Sequence, residues 1–396
     1  MSVVGEDTHR KVGHGSACSE VVKRGEPSGQ IMENIWWKRP STLPLALMVV
    51  ALLIIVVGGS IRVMDAGESC PDWPTCFGKA TFVVSEVEQT EYWDANPDQI
   101  DSRGEDHRYS YLEIFSEWFH RLLVGIVSIP ILLNALMMLK MKDKYRSGAF
   151  KAAVWAGVLL VLQAAAGAVT VIFDNVDWSV ALHLALATIW TSSLMVQYFL
   201  MRQDEGAEWD SFTIPKEFIE SQKARYDVIG GALFILMLLG AWVASTAGGH
   251  YNQGCSIGFP NGWPACHGKL WPSMDGAGVV VQMVHRLGAL LAGVVLIISV
   301  MKIRAAAVAN KVCSSMPRLA MIAVGLWTFN LFIGGSYIVF ADSDGFPESL
   351  SLIHLATGVS AVLYAVAGSI LLRMASIAHS KQDSEPVVSK VIDSEA

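Results

Sequence analysis

Four histidines stand near the start of long apolar runs: His120, His183, His285 and His354. Two are followed directly by arginine, in "FHRLLVG" (119 to 125) and "VHRLGAL" (284 to 290), and two lie in the related segments "ALHLALAT" (181 to 188) and "LIHLATG" (352 to 358). An ionisable side chain in such a run is costly unless it faces the interior of a helix bundle. Two imidazoles from two helices of a four-helix bundle can ligate a haem iron from both sides, with the bundle core housing the porphyrin. For one histidine alone, a hydrogen bond to a neighbouring helix would be the simpler reading. Four placed by a repeat favour ligation. Zinc fits less well, because structural zinc takes four protein ligands and catalytic zinc three, whereas each half of this chain supplies two membrane histidines. His250 and His267 have no counterpart in the first half and read as loop residues.

The neighbours of these histidines differ in chemistry. Glu117 lies one helical turn before His120 and on the same face, so its carboxylate can reach the ligand or the macrocycle edge beside it. Its counterpart before His285 is Gln282. One site therefore carries a titratable group and the other a neutral amide, as expected if one half performs chemistry and the other stores an electron. The alternative for Glu117 is an ion pair with Arg121 at i+4. Arg121 and Arg286 have two readings: charge partners for haem propionates, or side chains snorkelling to lipid phosphate.

Cys70 and Cys76 bracket "PDWPT", and Cys255 and Cys266 bracket "SIGFPNGWPA". Both pairs fall in loops assigned below to the outer face, where oxidation is permitted, so each is expected to close a local disulfide that rigidifies its loop. A redox-active pair is the alternative, although C-x5-C and C-x10-C are not the C-x-x-C of thioredoxin-like sites. Cys18 and Cys313 fall on the cytoplasmic side and read as free thiols. The Trp-Pro in each loop reads as an interfacial aromatic anchor with a turn.

The elements that must position these groups follow from composition. The chain has 396 residues, 53% of them hydrophobic and 16% charged, a balance that excludes an ordinary soluble domain. Crossing a hydrocarbon core of roughly 30 Å takes about 20 mostly apolar helical residues. Eight such runs lie near 43 to 63, 118 to 139, 151 to 173, 179 to 201, 227 to 247, 278 to 301, 319 to 340 and 350 to 372. They are continuous and lack period-2 alternation, so helices are implied and a barrel is not. Lys and Arg concentrate before span 1, in "KMKDKYR" (140 to 146), between spans 4 and 5, in "KIRAAAVANK" (302 to 311) and after span 8. These segments share one side, so both termini are expected to be cytoplasmic. The acidic excess behind the net charge of −7 lies in the first outer loop, and nothing suggests a nucleic-acid partner.

The chain also repeats itself. "WPTCFGK" (73 to 79) returns as "WPACHGK" (263 to 269), and "LQAAAGAVTVIFD" (162 to 174) resembles "FNLFIGGSYIVFAD" (329 to 342), aligning Gln163 with Asn330 and Gly167 with Gly334. The expected fold is an all-α membrane protein of eight transmembrane helices, arranged as two tandem four-helix bundles related by a parallel pseudo-two-fold repeat. The expected divisions are a disordered cytoplasmic tail (1 to 40), a first half (41 to 203), a cytoplasmic linker (204 to 225), a second half (226 to 374) and a second disordered tail (375 to 396). The first half carries about 25 extra residues between its cysteine loop and its His-Arg pair, a difference visible on aligning the halves.

Over residues 43 to 373, the Glu-x-x-His-Arg at 117 to 121, the Gln-x-x-His-Arg at 282 to 286, the later histidines at 183 and 354 and the paired outer cysteines together resemble the haem A synthase family. The resemblance implies oxidation of the C8 methyl of haem O to a formyl group through hydroxylated intermediates, supplying haem A to cytochrome oxidase. It implies a haem b cofactor held by His285 and His354 in the second half. Haem O, the substrate, would be flanked by His120 and His183 in the first half, with Glu117 as the catalytic carboxylate. It further implies a protein that meets a haem O synthase and an electron donor and is compatible with homo-oligomers; the unextended polar amino terminus favours a bacterial plasma membrane over a mitochondrial inner membrane. The acidic insertion at 80 to 112 and the wider second cysteine spacing depart from compact bacterial members. Rival readings are a dihaem electron-transfer cytochrome, disfavoured by four histidines on one side of the membrane, and a haem transporter or chaperone, disfavoured by tryptophans spread along the chain.

Overall fold

A computed structural model describes residues 39–101, 103–207, 214–244, 253–312, 315–342 and 345–384. Most of both expected tails, His250, Cys18 and Cys313 lie outside the described residues. Nine α-helices and one short 3-10 helix make up the described fold. The helices are α1 (Thr42–Val63), α2 (Glu86–Ala95), α3 (Tyr111–Lys140), α4 (Ser147–Ile172), α5 (Asp177–Asp204), α6 (Lys216–Val243), α7 (Ala277–Ala309), α8 (Met316–Val339) and α9 (Glu348–Ser384). All but α2 are long and apolar enough to cross a membrane, so the chain is an all-helical, multi-pass membrane protein.

Two helices outrun their apolar stretches, for local reasons. α3 begins at Tyr111 and not near 118, because Ser110 caps it and Glu113 closes a reciprocal capping box, satisfying backbone groups ahead of the apolar run. α9 continues past 372 because Leu372, Met374 and Ala375 bury themselves in the same core as Ile214 and Phe218. That core joins α6, α7, α8 and α9, with Tyr226 and Leu296 fully enclosed. A second core joins α1, α3, α4 and α5 through Leu47, Ala51, Ile54, Val127, Ile131, Leu160, Trp190 and Leu194. Between them lies a third, where Ile55, Ala187 and Met195 meet Val359, Leu363 and Ala367 of α9. One polar pair crosses the second core: the amides of Asn134 and Gln197, both fully buried, hydrogen-bond each other in both directions at 2.8 Å.

The segments that carry the cysteines fold on the helix ends. Cys70 bonds Cys76 and Cys255 bonds Cys266, each within its own loop. The acidic insertion is not an open loop. Its helix α2 is capped by Ser85 with Glu88, and Trp93, Tyr109 and Val84 pack with Phe77 and the first disulfide. Arg103 fastens the insertion, reaching Glu113 at 3.5 Å and Asp65 at 3.7 Å. Beneath it lies the buried Glu68, 5% exposed, which accepts a hydrogen bond from Asn175 Nδ2 at 2.6 Å. Burial, reinforced by Asp174 and Asp101, raises its proton affinity to a pKa of about 8, although the bond from Asn175 acts in the opposite direction.

Two predictions follow from this packing. Asn134→Ala strands a buried amide and should cost about 1–2 kcal/mol, whereas replacing Asn134 and Gln197 together by leucine should cost much less; thermal midpoints of the purified chain in detergent compare the two. The second concerns pH. Glu68 binds its proton more tightly in the folded state than at its ordinary value of 4.5. Its contribution to the outer cap is therefore whole below pH 4.5 and is lost as the pH rises to about 8. Hydrogen exchange across residues 64–110, corrected for intrinsic rates, should quicken over that window in the native chain and show a flatter dependence in Glu68→Gln.

Candidate functional site

The four histidines project from α3, α5, α7 and α9, each within the second or third turn from the helix start. The apolar character of these helices demands that an imidazole there find an interior position. What makes room for it is glycine on the adjoining helix. A Cβ built on Gly58 of α1 would stand 3.0 Å from the His120 ring, and one on Gly167 of α4 would stand 3.0 Å from the His183 ring. In the second half the corresponding approaches are Gly240 of α6 to His285 at 3.3 Å and Gly334 of α8 to His354 at 2.7 Å. In each half, histidines thus come from the second and fourth spans and glycines from the first and third. The pairing of Gly167 with Gly334 was visible in the repeat. Gly58 in "VVGGS" and Gly240 in "LLGAW" gave no such signal.

Hydrogen bonding orients one imidazole of each pair. His354 Nδ1 lies 3.0 Å from the carbonyl oxygen of Asn330, which can only accept, so Nδ1 carries the proton and Nε2 keeps its lone pair. His183 is met by the amide nitrogen of Gln163, at 3.2 Å from Nδ1 and 3.3 Å from Nε2. His120 Nδ1 and His285 Nδ1 are buried without a hydrogen-bond partner among the described residues. The rings of His285 and His354 have centroids 6.4 Å apart and are inclined by 79°. Metal–imidazole bonds of about 2 Å on each side of one ion, plus the depth of each ring, place the centroids of an axial pair roughly 6 Å apart. The residues present therefore fit a two-sided ligand set. Among the described residues no three His, Cys, Asp or Glu side chains group as a protein-only metal centre would need.

The arginines have a partner that neither sequence reading named. Arg121 Nη1 donates to the carbonyls of Asp72 and Thr75, and its Nη2 to that of Cys70 at 2.8 Å. Arg286 Nη1 donates to the carbonyls of Gly262 and Ala265, both at 2.8 Å. Asp72 and Gly262 each stand four residues before the second cysteine of their loop, and Thr75 and Ala265 one before it. The same two carbonyls are gripped in both halves. The remaining edge of Arg121 goes to Glu117, whose Oε1 accepts from Nε at 2.7 Å in a pair about 10% exposed on each side. Where Gln282 replaces the acid, Arg286 Nη2 is buried without a partner among the described residues. Gln282 itself is 3% exposed.

The loop tryptophans part company. Trp73 is half exposed, as an interfacial anchor would be, whereas Trp263 packs on α8, so that a Cβ on Gly335 would stand 2.8 Å from its ring. His267 is held inside the second loop, with Nε2 3.1 Å from the carbonyl oxygen of Gly254.

Comparison with known proteins gives the site its context. The family described as cytochrome oxidase assembly protein, COX15-CtaA, matches residues 41–367. The chain is 25% identical over 280 residues to the Heme A synthase of Shouchella clausii, spanning 68% of this chain and 79% of that protein. It is 22% identical over 358 residues to the Heme A synthase of Shewanella oneidensis, spanning 83% and 93%. To that of Caulobacter vibrioides it is 27% identical over 378 residues, spanning 85% and 97%. Matched from the first span into the last, with all four histidines and both cysteine loops inside the matched region, the chain belongs to the COX15-CtaA cytochrome oxidase assembly protein family.

Proposed function

We propose that this protein is a haem A synthase, an oxidoreductase that converts the C8 methyl of haem O to a formyl group. The observation that carries the reading is an asymmetry within a shared framework. Both halves have a glycine-backed histidine pair beneath an arginine-gripped disulfide loop, yet only the first has a buried carboxylate, Glu117, one turn from its histidine. The second has Gln282 there. A chain that only moved electrons between two permanent haems would have no need of that difference. The name carried by the relatives agrees with this reading.

In this reading His285 and His354 hold haem b, and His120 and His183 flank the porphyrin of haem O. When bound, haem b supplies one-electron redox chemistry. Asn330 keeps the proton of His354 on Nδ1, which would leave Nε2 to hold the haem, and Gln163 steadies His183. Glu117 serves the reacting methyl. Taking two electrons and a proton from a methyl at a macrocycle edge, the electrons passing to an external one-electron acceptor, leaves a carbocation that water converts to a carbinol with loss of a second proton, and a carboxylate can stabilise the cation and accept the proton. Arg121 Nε holds Oε1 and leaves Oε2 without a donor among the described residues, so one oxygen is anchored while the other is open to a proton. Both termini lie in the cytoplasm, as the Lys- and Arg-rich connections indicate.

Two measurements test the assignment. Purified protein should carry low-spin b-type haem, and His285→Ala or His354→Ala should lower haem per protein by about tenfold or more. Unchanged content in both variants would remove the ligand assignment. Glu117→Gln keeps size and an acceptor for Arg121 but cannot take a proton. In membranes supplied with haem O and matched for expression, it should lower conversion to haem A by a factor on the order of 10². Chromatography of extracted haems reads the ratio of substrate, hydroxylated product and haem A. Normal haem A from that variant would make Glu117 a structural partner of Arg121 alone.

A further inference from the structure

α1 presents two adjacent stripes to two different neighbours. Leu47, Ala51 and Ile54 enter the core of the first half. Continuing that helical spacing by one more turn reaches Gly58, which backs His120. Met48, Leu52 and Ile55 form the second stripe, one residue out of phase, and pack with Val359, Leu363 and Leu355 of α9. Its continuation is Gly59, and here the approach is closest: a Cβ would stand 2.2 Å from Leu355 Cδ2 and 3.4 Å from Leu352 Cδ1. Leu355 directly follows His354. One Gly-Gly dipeptide therefore touches the ligand ring of one half with its first residue and the ligand-bearing segment of the other half with its second.

From this contact we propose that Gly59 is a positioning residue that acts across the boundary between the halves. By letting α1 and α9 close on each other at the depth of the imidazoles, it sets where His354 stands relative to the first half. The inference rests on the reading that His285 and His354 hold haem b. It adds that a residue of the first half, outside that ligand set, controls the second-half site. Alanine is the better helix former, so harm from a substitution at Gly59 must come through the contact and not through helix propensity. Small residues are the usual means by which membrane helices approach closely; here the partner is a haem-bearing segment, and spacing becomes a functional variable.

The test uses the full chain, purified, with electron paramagnetic resonance and redox titration of the low-spin haem as readouts. Gly59→Ala and Gly59→Val should shift the g-values and midpoint potential progressively, or at least halve the low-spin signal, even though Gly59 is not a ligand. Adding Leu355→Ala to Gly59→Val should return the spectrum toward that of the native chain. Gly58→Ala, one residue away but facing His120, should leave the second-half spectrum as it is and weaken retention of haem O. A native spectrum and potential in Gly59→Val would overturn the inference, as would failure of that variant to accumulate without recovery by Leu355→Ala. Absence from the native protein of a low-spin signal dependent on His285 and His354 would instead overturn the ligand reading, and this inference with it.

Discussion

A guanidinium at the edge of a hydrocarbon layer must have its hydrogen bonds met inside the protein, and Arg121 and Arg286 meet theirs with backbone carbonyls of the loops above them. Much of the outer half of the molecule follows from that demand. A carbonyl can be offered downward only by a loop whose backbone is pinned, and the short disulfides Cys70–Cys76 and Cys255–Cys266 pin it. The loop is thereby seated over the helix end that carries His120 or His285. In the first half the insertion adds a further layer, with Trp93, Tyr109 and Phe77 closing over the disulfide and Arg103 tying the layer to Glu113 and Asp65.

Below the loops, glycine does for the imidazoles what carbonyls do for the guanidinium groups. A histidine ring facing a helix backbone needs the absence of a side chain there, and four glycines on four different helices provide it. Close-packed interiors transmit such constraints, since a displaced methyl-sized volume has nowhere to go. The rings are thus set from behind by backbone, and those of His354 and His183 are held from the side by Asn330 and Gln163.

Within this common frame the two halves diverge where chemistry would require it. Glu117 and Arg121 form a compensated buried pair, and such a pair is stable only while both members remain. Gln282 needs no compensation, and Arg286 keeps a nitrogen without a partner among the described residues. Deeper in the first bundle the Asn134–Gln197 amides form a polar crosslink between α3 and α5, some 14 residues below His120 and His183. At the equivalent spacing below His285 and His354 stand Ser299 and Gly368.

Much of what depended on chain-local physics was legible in the sequence. Eight apolar runs of membrane-spanning length sufficed for eight helices, because backbone groups in a bilayer have no alternative to internal hydrogen bonds. The pairing of each cysteine with its near neighbour and the i+4 approach of Arg121 to Glu117 depend on separations of a few residues, and both are present. The apolar run from about 118 does not mark the start of α3, whose first turn is held by a capping box and not by apolar content. What only the tertiary structure decided involves residues far apart in the chain. The carbonyls that receive Arg121 lie some fifty residues before it. Gly58 and Gly240 acquire meaning only once His120 and His285 are packed against them. The meeting of Gly59 with Leu355 joins positions almost three hundred residues apart. A glycine in an apolar helix has no side chain by which to announce its partner, and only the packing of α1 on α9 reveals which neighbour occupies the space it leaves.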